Sequence, residues 1–287
     1  MPRWVSKALS VTPGLVVSTV LTIMVGAVLP PAAGLAVFLV GLGVAVLLAA
    51  GVGEAPAVRV LFRAQRLSAG QLLILGPALT LLCQQGLGPP LVEIRVRRGG
   101  PAVTAGGVGR HTVVVSCGLI EALGDAQLPP EQAAAVVAHA AAVVRGGWVR
   151  LDPLIAFWSW PWQVLRGFAA GVARAGAGVP LTSLAWRWRV LVMGIATVQT
   201  ATTQGPRWLA VLLGALTTVS YAAPVWAAHW QQQLVDAGDV AIMDAGLGPA
   251  LAAFLRRCPP CPGTRARISR LAPDQPGRPV LALVRTR

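Results

Sequence analysis

Three histidines, four cysteines and ten acidic residues are a small stock for metal or acid–base chemistry in a chain of 287 residues. The most suggestive of them is His139, in the stretch AVVAHAAAVVRGG (135–147). A histidine on a helix holds zinc when a second histidine follows at i+4 on the same face. A glutamate next to the first then serves as base on the metal-bound water. Here the base position is Ala140 and the second ligand position is Val143. Neither side chain can coordinate a metal or move a proton. Taken alone, one histidine in an alanine-rich helix reads as a half-buried residue satisfied by hydrogen bonds.

Cys258 and Cys261, in CPPC, have the C-x-x-C spacing of redox and zinc sites. Two thiols do not complete a zinc shell, and the pair lies between a helix and a basic tail, not in the strand–helix–strand setting of redox folds. A proline-rich turn with incidental thiols is the plainer reading, with a thiol redox sensor as the alternative. Cys83 and Cys117 stand in apolar surroundings and read as small buried hydrophobes. The four are too few and too scattered for a secreted disulfide framework.

The elements that would position these residues sit in an unusually apolar chain. It is 55% hydrophobic and 12% charged, with a mean hydropathy of +0.67. That balance points to an integral membrane protein with a modest water-facing part. The net charge is +14, from 24 basic and 10 acidic residues, and Lys7 is the single lysine. A charge of this sign suits an anionic cytoplasmic leaflet. Nucleic acid is not an expected partner, because no basic run carries interleaved aromatics and no nucleic-acid-binding signature appears.

Two apolar stretches, about 13–29 and 33–52, are each close to the roughly 20 residues that cross a bilayer, and Pro30-Pro31 joins them as a tight hairpin. Arg3 and Lys7 precede the hairpin and Arg59, Arg63 and Arg66 follow it, so both ends are expected on the cytoplasmic side. Further on, the tryptophan-rich stretch 154–176 reads as an interfacial or re-entrant helix. Residues 190–203 and 208–226 make a second hairpin. Between the hairpins the character changes. LVEIRVRR alternates as a half-buried strand does, Thr112–Val115 is a short β-branched strand, and LPPEQAAAVVAHAAAVVRGGW is a helix with proline in its first turn and Gly146-Gly147 at its end. The tail from His229 onward reads as a soluble helix, DVAIMDAGLGPALAAFLRR, followed by a basic, proline-rich segment.

Over residues 56–272 these stretches resemble, in order, the membrane-bound zinc metallopeptidases of the HtpX and CAAX prenyl-protease type. The 128–147 stretch is similar to that family's L-x-P-E-E-L-x-A-V-L-A-H-E-x-x-H-x-R helix through Leu128, Pro130, Glu131, Ala135, Val136, Ala138, His139 and Arg145. PAVTAGGVGRHTVVVSCGLIEAL is similar to the segment that supplies the strand beside the family's cleft. LVDAGDVAIMDAGLG looks like the E-A-D-R-x-A … L-G helix that supplies the third zinc ligand, with Ala237 in the glutamate's place, Gly238 in the alanine's and Asp239 in the aspartate's. CPGTRARISRL is similar to H-P-P-T-x-x-R-I-x-R-L, with Cys261 at the histidine.

The resemblance implies a gluzincin-like fold whose reactive positions, Ala140, Val143 and Ala237, are vacated. Zinc, the family's cofactor, is therefore not expected, and His139, Val143 and Ala237 are vestigial positions. Asp236, His111 and His229 are the residues that could replace the lost ligands, which leaves an active membrane zinc metalloendopeptidase as the alternative. The expected architecture is a mostly α membrane protein. Four transmembrane helices in two hairpins (1–55 and 181–228) flank a cytoplasmic peptidase-like domain (56–153), an interfacial segment (154–180) and a cytoplasmic C-terminal part (229–287). Thr112, Val113, Val114 and Val115 are expected as an edge strand able to take an extended peptide. The expected role is that of a pseudoprotease in the inner (plasma) membrane, termini cytoplasmic, with the lipid bilayer and a membrane protein or peptide as partners.

Overall fold

The computed structural model describes residues 2–89, 92–175, 191, 194–200, 202 and 207–272. The chain is mostly helical with one small mixed sheet, and it divides into two compact units. One comprises residues 1–53 and 151–233, the other residues 54–150 and 234–287.

The first unit opens with helices α1 (Arg3–Val28) and α2 (Pro31–Ala50), which pack on each other. Pro31 opens α2, where its fixed φ suits a helix start and its missing N–H has no partner to lose. Both helices are long and apolar enough to cross a membrane, and few of their residues are buried. The tryptophan-rich stretch forms two helices, α7 (Asp152–Trp158) and α8 (Trp160–Ala175), separated at Ser159. Its polar handles are used on α1. Trp158 Nε1 donates to Thr19 Oγ1 at 2.9 Å, and the Trp162 amide donates to Ser18 Oγ at 3.2 Å. Lys7 pairs with Asp152 at 2.8 Å and lies 5.4 Å from the Trp230 ring centroid. Of the expected third span, residues 194–200 are described and helical, whereas Arg187 and Arg189 lie outside the described residues. The expected fourth span belongs to one long helix, Arg207–Asp244, which continues through His229 into the stretch read as a soluble tail. That helix ends where Gly246 turns to positive φ, and a separate helix, Gly248–Leu255, follows. The single tail helix read from the sequence is therefore two. The basic tail beyond residue 272 lies outside the described residues.

In the second unit, α3 (Glu54–Leu61) leads to β1 (Ala64–Arg66) and α4 (Ala69–Gln84), the latter held at its start by a Ser68–Gln71 capping box. Strands β2 (Glu93–Arg97), β3 (Ala105–Val108) and β4 (Thr112–Ser116) complete a sheet of order β1-β2-β4-β3. β2 and β4 run parallel, and the two outer pairs are antiparallel. After β4 come α5 (Cys117–Gly124) and α6 (Pro130–Arg145). Val96, Val113 and Val115 join α4, α5, α6 and helix Gly248–Leu255 in the main core. Val114 and Val108 face the other way, onto Val58 of α3.

Thr112–Val115 is thus not an edge. β4 is paired on both sides and all its residues are buried. A continuous β-branched run without alternation is the pattern of a strand covered on both faces, and the edges fall to β1 and β3. β3, Ala-Gly-Gly-Val, has almost no strand propensity and forms because β4 pairs with it. The cysteine expectation also changes, since Cys83 is exposed and Cys117 half-buried.

The tight turn between β3 and β4 is fixed from α3. Glu54 Oε1 accepts from the amides of Arg110 (2.9 Å) and His111 (3.3 Å) and from Thr112 Oγ1 (3.2 Å). Gly109 makes this possible twice over: its φ is +70°, and any Cβ there would collide with the Glu54 carboxylate. Gly109→Ala is expected to cost about 2–4 kcal/mol, the sum of left-handed strain and displaced hydrogen bonds. Gly106→Ala, which enters open space, should stay within about 0.5 kcal/mol of wild type. Thermal unfolding of the two detergent-solubilised variants compares them directly.

Candidate functional site

α6 is the central helix of the second unit. Proline occupies its first position, Glu131 its first turn and Arg145 its last, each suited to the local end of the helix dipole. Ten of its sixteen residues are buried, on every side. Such a helix belongs to an interior. Ala140 is 2% exposed and Val143 5% exposed. The edge strand β3 presses closely on this helix: a Cβ added to Gly107 would lie 2.6 Å from Val144 Cγ2 and 3.0 Å from Ala140 O.

His139 is the polar exception, with its side chain 19% exposed. Its imidazole lies against the long helix Arg207–Asp244 in the space a side chain at Gly238 would need. A Cβ on Gly238 would stand 2.6 Å from ring atoms Cδ2 and Cε1 and closer still to Nε2. Nε2 is 3.2 Å from the carbonyl oxygen of Val235 and 3.3 Å from Asp239 Oδ1. Both partners accept hydrogen bonds, so Nε2 carries the proton and offers them its N–H.

Asp239 is 2% exposed, and its carboxylate is shared. Arg267, on helix Pro262–Leu271, grips it with two parallel bonds, Nε to Oδ2 at 2.9 Å and Nη2 to Oδ1 at 2.7 Å. This fork-to-fork geometry is the strong form of the pair. Burial alone would raise the Asp239 carboxyl. The hydrogen bonds from His139 and Arg267, with the charge of Arg267, outweigh it and hold the group below the usual carboxylate range. At the rim, Arg270 meets Asp236 at 3.0 Å.

The residues present do not fit a zinc ion. The Nε2 lone pair of His139 is replaced by a proton, both Asp239 oxygens are committed to Arg267, and Val143 and Ala237 have no donor. Among the described residues no group of three His, Cys, Asp or Glu side chains converges. Of the candidate replacements, Asp236 pairs with Arg270. His111 lines a recess with Arg110, Val144, Arg145, Gly147 and Arg150. His229 lies 3.2 Å from Gln233 Nε2. What the geometry provides instead is a tie: one imidazole, one carboxylate and one guanidinium join three helices.

Arg267 and Arg270 were not singled out in the sequence, although both stand in the TRARISRL stretch that carries the resemblance. Their spacing of three puts both on one face of a helix, and the acidic pair Asp236 and Asp239 has the same spacing. That complementary i, i+3 pattern is the signal that could have found them. In CPPC the thiols do not pair. Cys258 Sγ points to Phe254 O at 3.8 Å. Cys261 caps helix Pro262–Leu271, taking the Thr264 amide at 3.3 Å with Thr264 Oγ1 at 2.9 Å. Those Thr264 hydrogen bonds lower the thiol from its ordinary value.

Asp239→Asn would break this tie, and a destabilisation of about 2–4 kcal/mol is expected. That is the range for splitting a buried ion pair, reduced because Arg267 keeps some solvent contact. The folded carboxyl titrates below its unfolded value of about 3.9. Its contribution is therefore complete above about pH 4 and disappears as the pH falls through the folded value. Unfolding measured at pH 7 and pH 3 should show the deficit of Asp239→Asn shrinking at the lower pH. Ala140→Glu, which would bury a carboxylate on α6, is expected to cost about 3–5 kcal/mol in the same assay. Neither a protein-family model, nor a curated protein, nor a solved structure matches this chain.

Proposed function

We propose that the chain is a catalytically inactive membrane homologue of the HtpX-like metallopeptidases, acting as a binding or regulatory protein at the cytoplasmic membrane face. The observation that carries this reading is the seating of His139 on Gly238, with Nε2–H aimed at Val235 O and Asp239. The histidine of the former zinc helix serves as a helix-to-helix tie. The two C-terminal stretches quoted for the resemblance support the same reading, because they meet in the Asp239–Arg267 pair.

The inner-membrane placement is supported by α1 and α2. Val16, Ile23, Val25, Leu35 and Val40 are all more than half exposed, and a surface of that size needs a lipid or protein cover. In this reading residues 190–203 and 208–226 form the second hairpin, the α7–α8 region lies in the interface, and both termini are cytoplasmic. Peptide binding moves from β4 to the edge strand β3. Ser116 N donates to Thr104 O at 2.9 Å, so positions 104 and 116 form a bonded pair. By the antiparallel alternation, the backbone groups of Ala105 and Gly107 then point away from β4. An extended peptide could add there.

The test is elemental analysis of the full chain, extracted from membranes that have first been washed with alkaline carbonate. The expected result is retention in the washed membranes with well under one zinc per chain. About one zinc per chain, the stoichiometry of a catalytic site, together with chelator-sensitive cleavage of a membrane substrate, would overturn the reading in favour of an active metalloendopeptidase.

A further inference from the structure

Residues 55–98 hold six arginines and one acidic residue, Glu93. All of them lie in the second unit, and the sheet gathers them. Arg66 of β1 stands opposite Arg95 of β2, and Arg97 stands opposite Ala64, one diagonal step from Arg66. Ala64 belongs to the small core with Val58 and Val114, and Val114 is the register partner of Arg95. Residues two apart on a strand share a face, so Arg66, Arg95 and Arg97 all lie on the side of the sheet that α3 covers. Arg59 stands on α3 itself, Arg63 just before β1 and Arg98 just after β2.

Like charges directly opposite each other on neighbouring strands repel, and little on this face offsets that. Arg95, only 4% exposed, donates from Nη2 to Glu93 Oε1 at 2.9 Å and from Nη1 to Ala55 O at 3.3 Å. Its buried Nε meets no acceptor among the described residues. Arg59, Arg63, Arg66, Arg97 and Arg98 are exposed, and among the described residues no carboxylate pairs with any of them. A sequence that sets like charges together at a cost to its own fold does so characteristically at a functional site. The rule that keeps basic residues on the cytoplasmic side of a span covers about 15–20 residues from its end. It accounts for Arg59, Arg63 and Arg66 after α2 and asks nothing of Arg97 and Arg98.

The form of the face selects among anions. β1 is the outermost strand of its sheet, so an extended chain can lie along it with alternate side chains toward the arginines. A positively charged edge repels a second copy of itself. Nucleic acid would require aromatic side chains to stack on. The one aromatic residue of 54–98, Phe62, packs into the small core beside Val58.

We propose that the arginine-lined face of β1 and β2 binds an acidic, extended segment of a partner protein. The surface is distinct from β3, and the proposal depends neither on the loss of metal chemistry nor on the membrane placement.

Fluorescence anisotropy with the full chain in detergent tests it, using a fluorescein-labelled Glu-Gly repeat peptide and a Gln-Gly repeat as the uncharged reference. The Glu-Gly peptide should bind and the Gln-Gly peptide should not; equal binding of the two would overturn the site. Arg66→Ala/Arg97→Ala should weaken binding about tenfold, the scale of losing two exposed ion pairs. Arg150→Ala/Arg265→Ala removes the same charge from exposed positions off the sheet and should leave binding unchanged. Equal weakening in both pairs would mean general charge attraction and overturn the site. Because Arg66 faces Arg95, Arg66→Ala should unfold at or above the wild-type temperature. A lower temperature would make Arg66 a structural residue and count against the proposal in the same way. Tighter binding of oligouridylate, or of micelles doped with phosphatidylglycerol, through Arg66 and Arg97 would assign the face to phosphate and overturn the acidic-segment reading.

Discussion

The distance at which α6 meets its neighbours sets the terms for the second unit. Alanines and valines on nearly every side give this helix a thin profile, and β3 and the long helix approach it until no Cβ fits at Gly107 or Gly238. Each buried alanine removes little apolar area from water, about one methyl group's worth. Close approach compensates through many short van der Waals contacts. The cost of this design is intolerance. A helix buried on all sides has no room for a longer side chain, and a polar one there has to bring its own partner.

His139 brings its partner, and the rest of the cluster follows from that. A half-buried imidazole needs an acceptor, and the long helix supplies two, Val235 O and Asp239. A carboxylate as buried as Asp239 in turn needs more than one donor, and Arg267 meets that need with two bonds. Networks of this kind give modest net stability, because desolvation offsets most of the attraction. Their effect is on arrangement. Asp239 can be satisfied in one register between α6, the long helix and helix Pro262–Leu271, so the ion pair fixes how the C-terminal helices of this unit close on α6.

The sequence was most legible where one local pattern decides the element. The apolar helices around Pro30, the alternation at 93–97 and the proline-led helix at 130–145 follow from spacing and capping alone. β3 was not legible, because Ala-Gly-Gly-Val becomes a strand through its partner, a choice made by tertiary pairing. The burial of Thr112–Val115 is present in the pattern. An unbroken β-branched run argues for a central strand, and the peptide-edge expectation required an outer one. At the site, His139, Val143 and Ala237 could be named from the chain, but the seating of His139 could not. That depends on the missing Cβ of Gly238, and Gly in place of Ala is a one-carbon difference whose meaning appears when two helices meet.

The small side chains at 140, 143, 237 and 238 make physical sense together and not singly. At Ala140 and Val143 the helix is buried to within a few per cent, so a glutamate or histidine at either would need partners the packing has removed. At Gly238 an alanine would push the imidazole off Val235 and Asp239, leaving the carboxylate to Arg267 and the more distant Arg270. At Ala237 a glutamate would set a third acidic side chain beside Asp236 and Asp239, where Arg267 and Arg270 already pair with two. Side chains that share partners are coupled, and their substitution energies do not add. With the imidazole seated on Gly238, a longer side chain at any one of these positions costs stability. A helix whose one polar side chain is bound by two partners on a neighbouring helix is the arrangement such coupling holds in place.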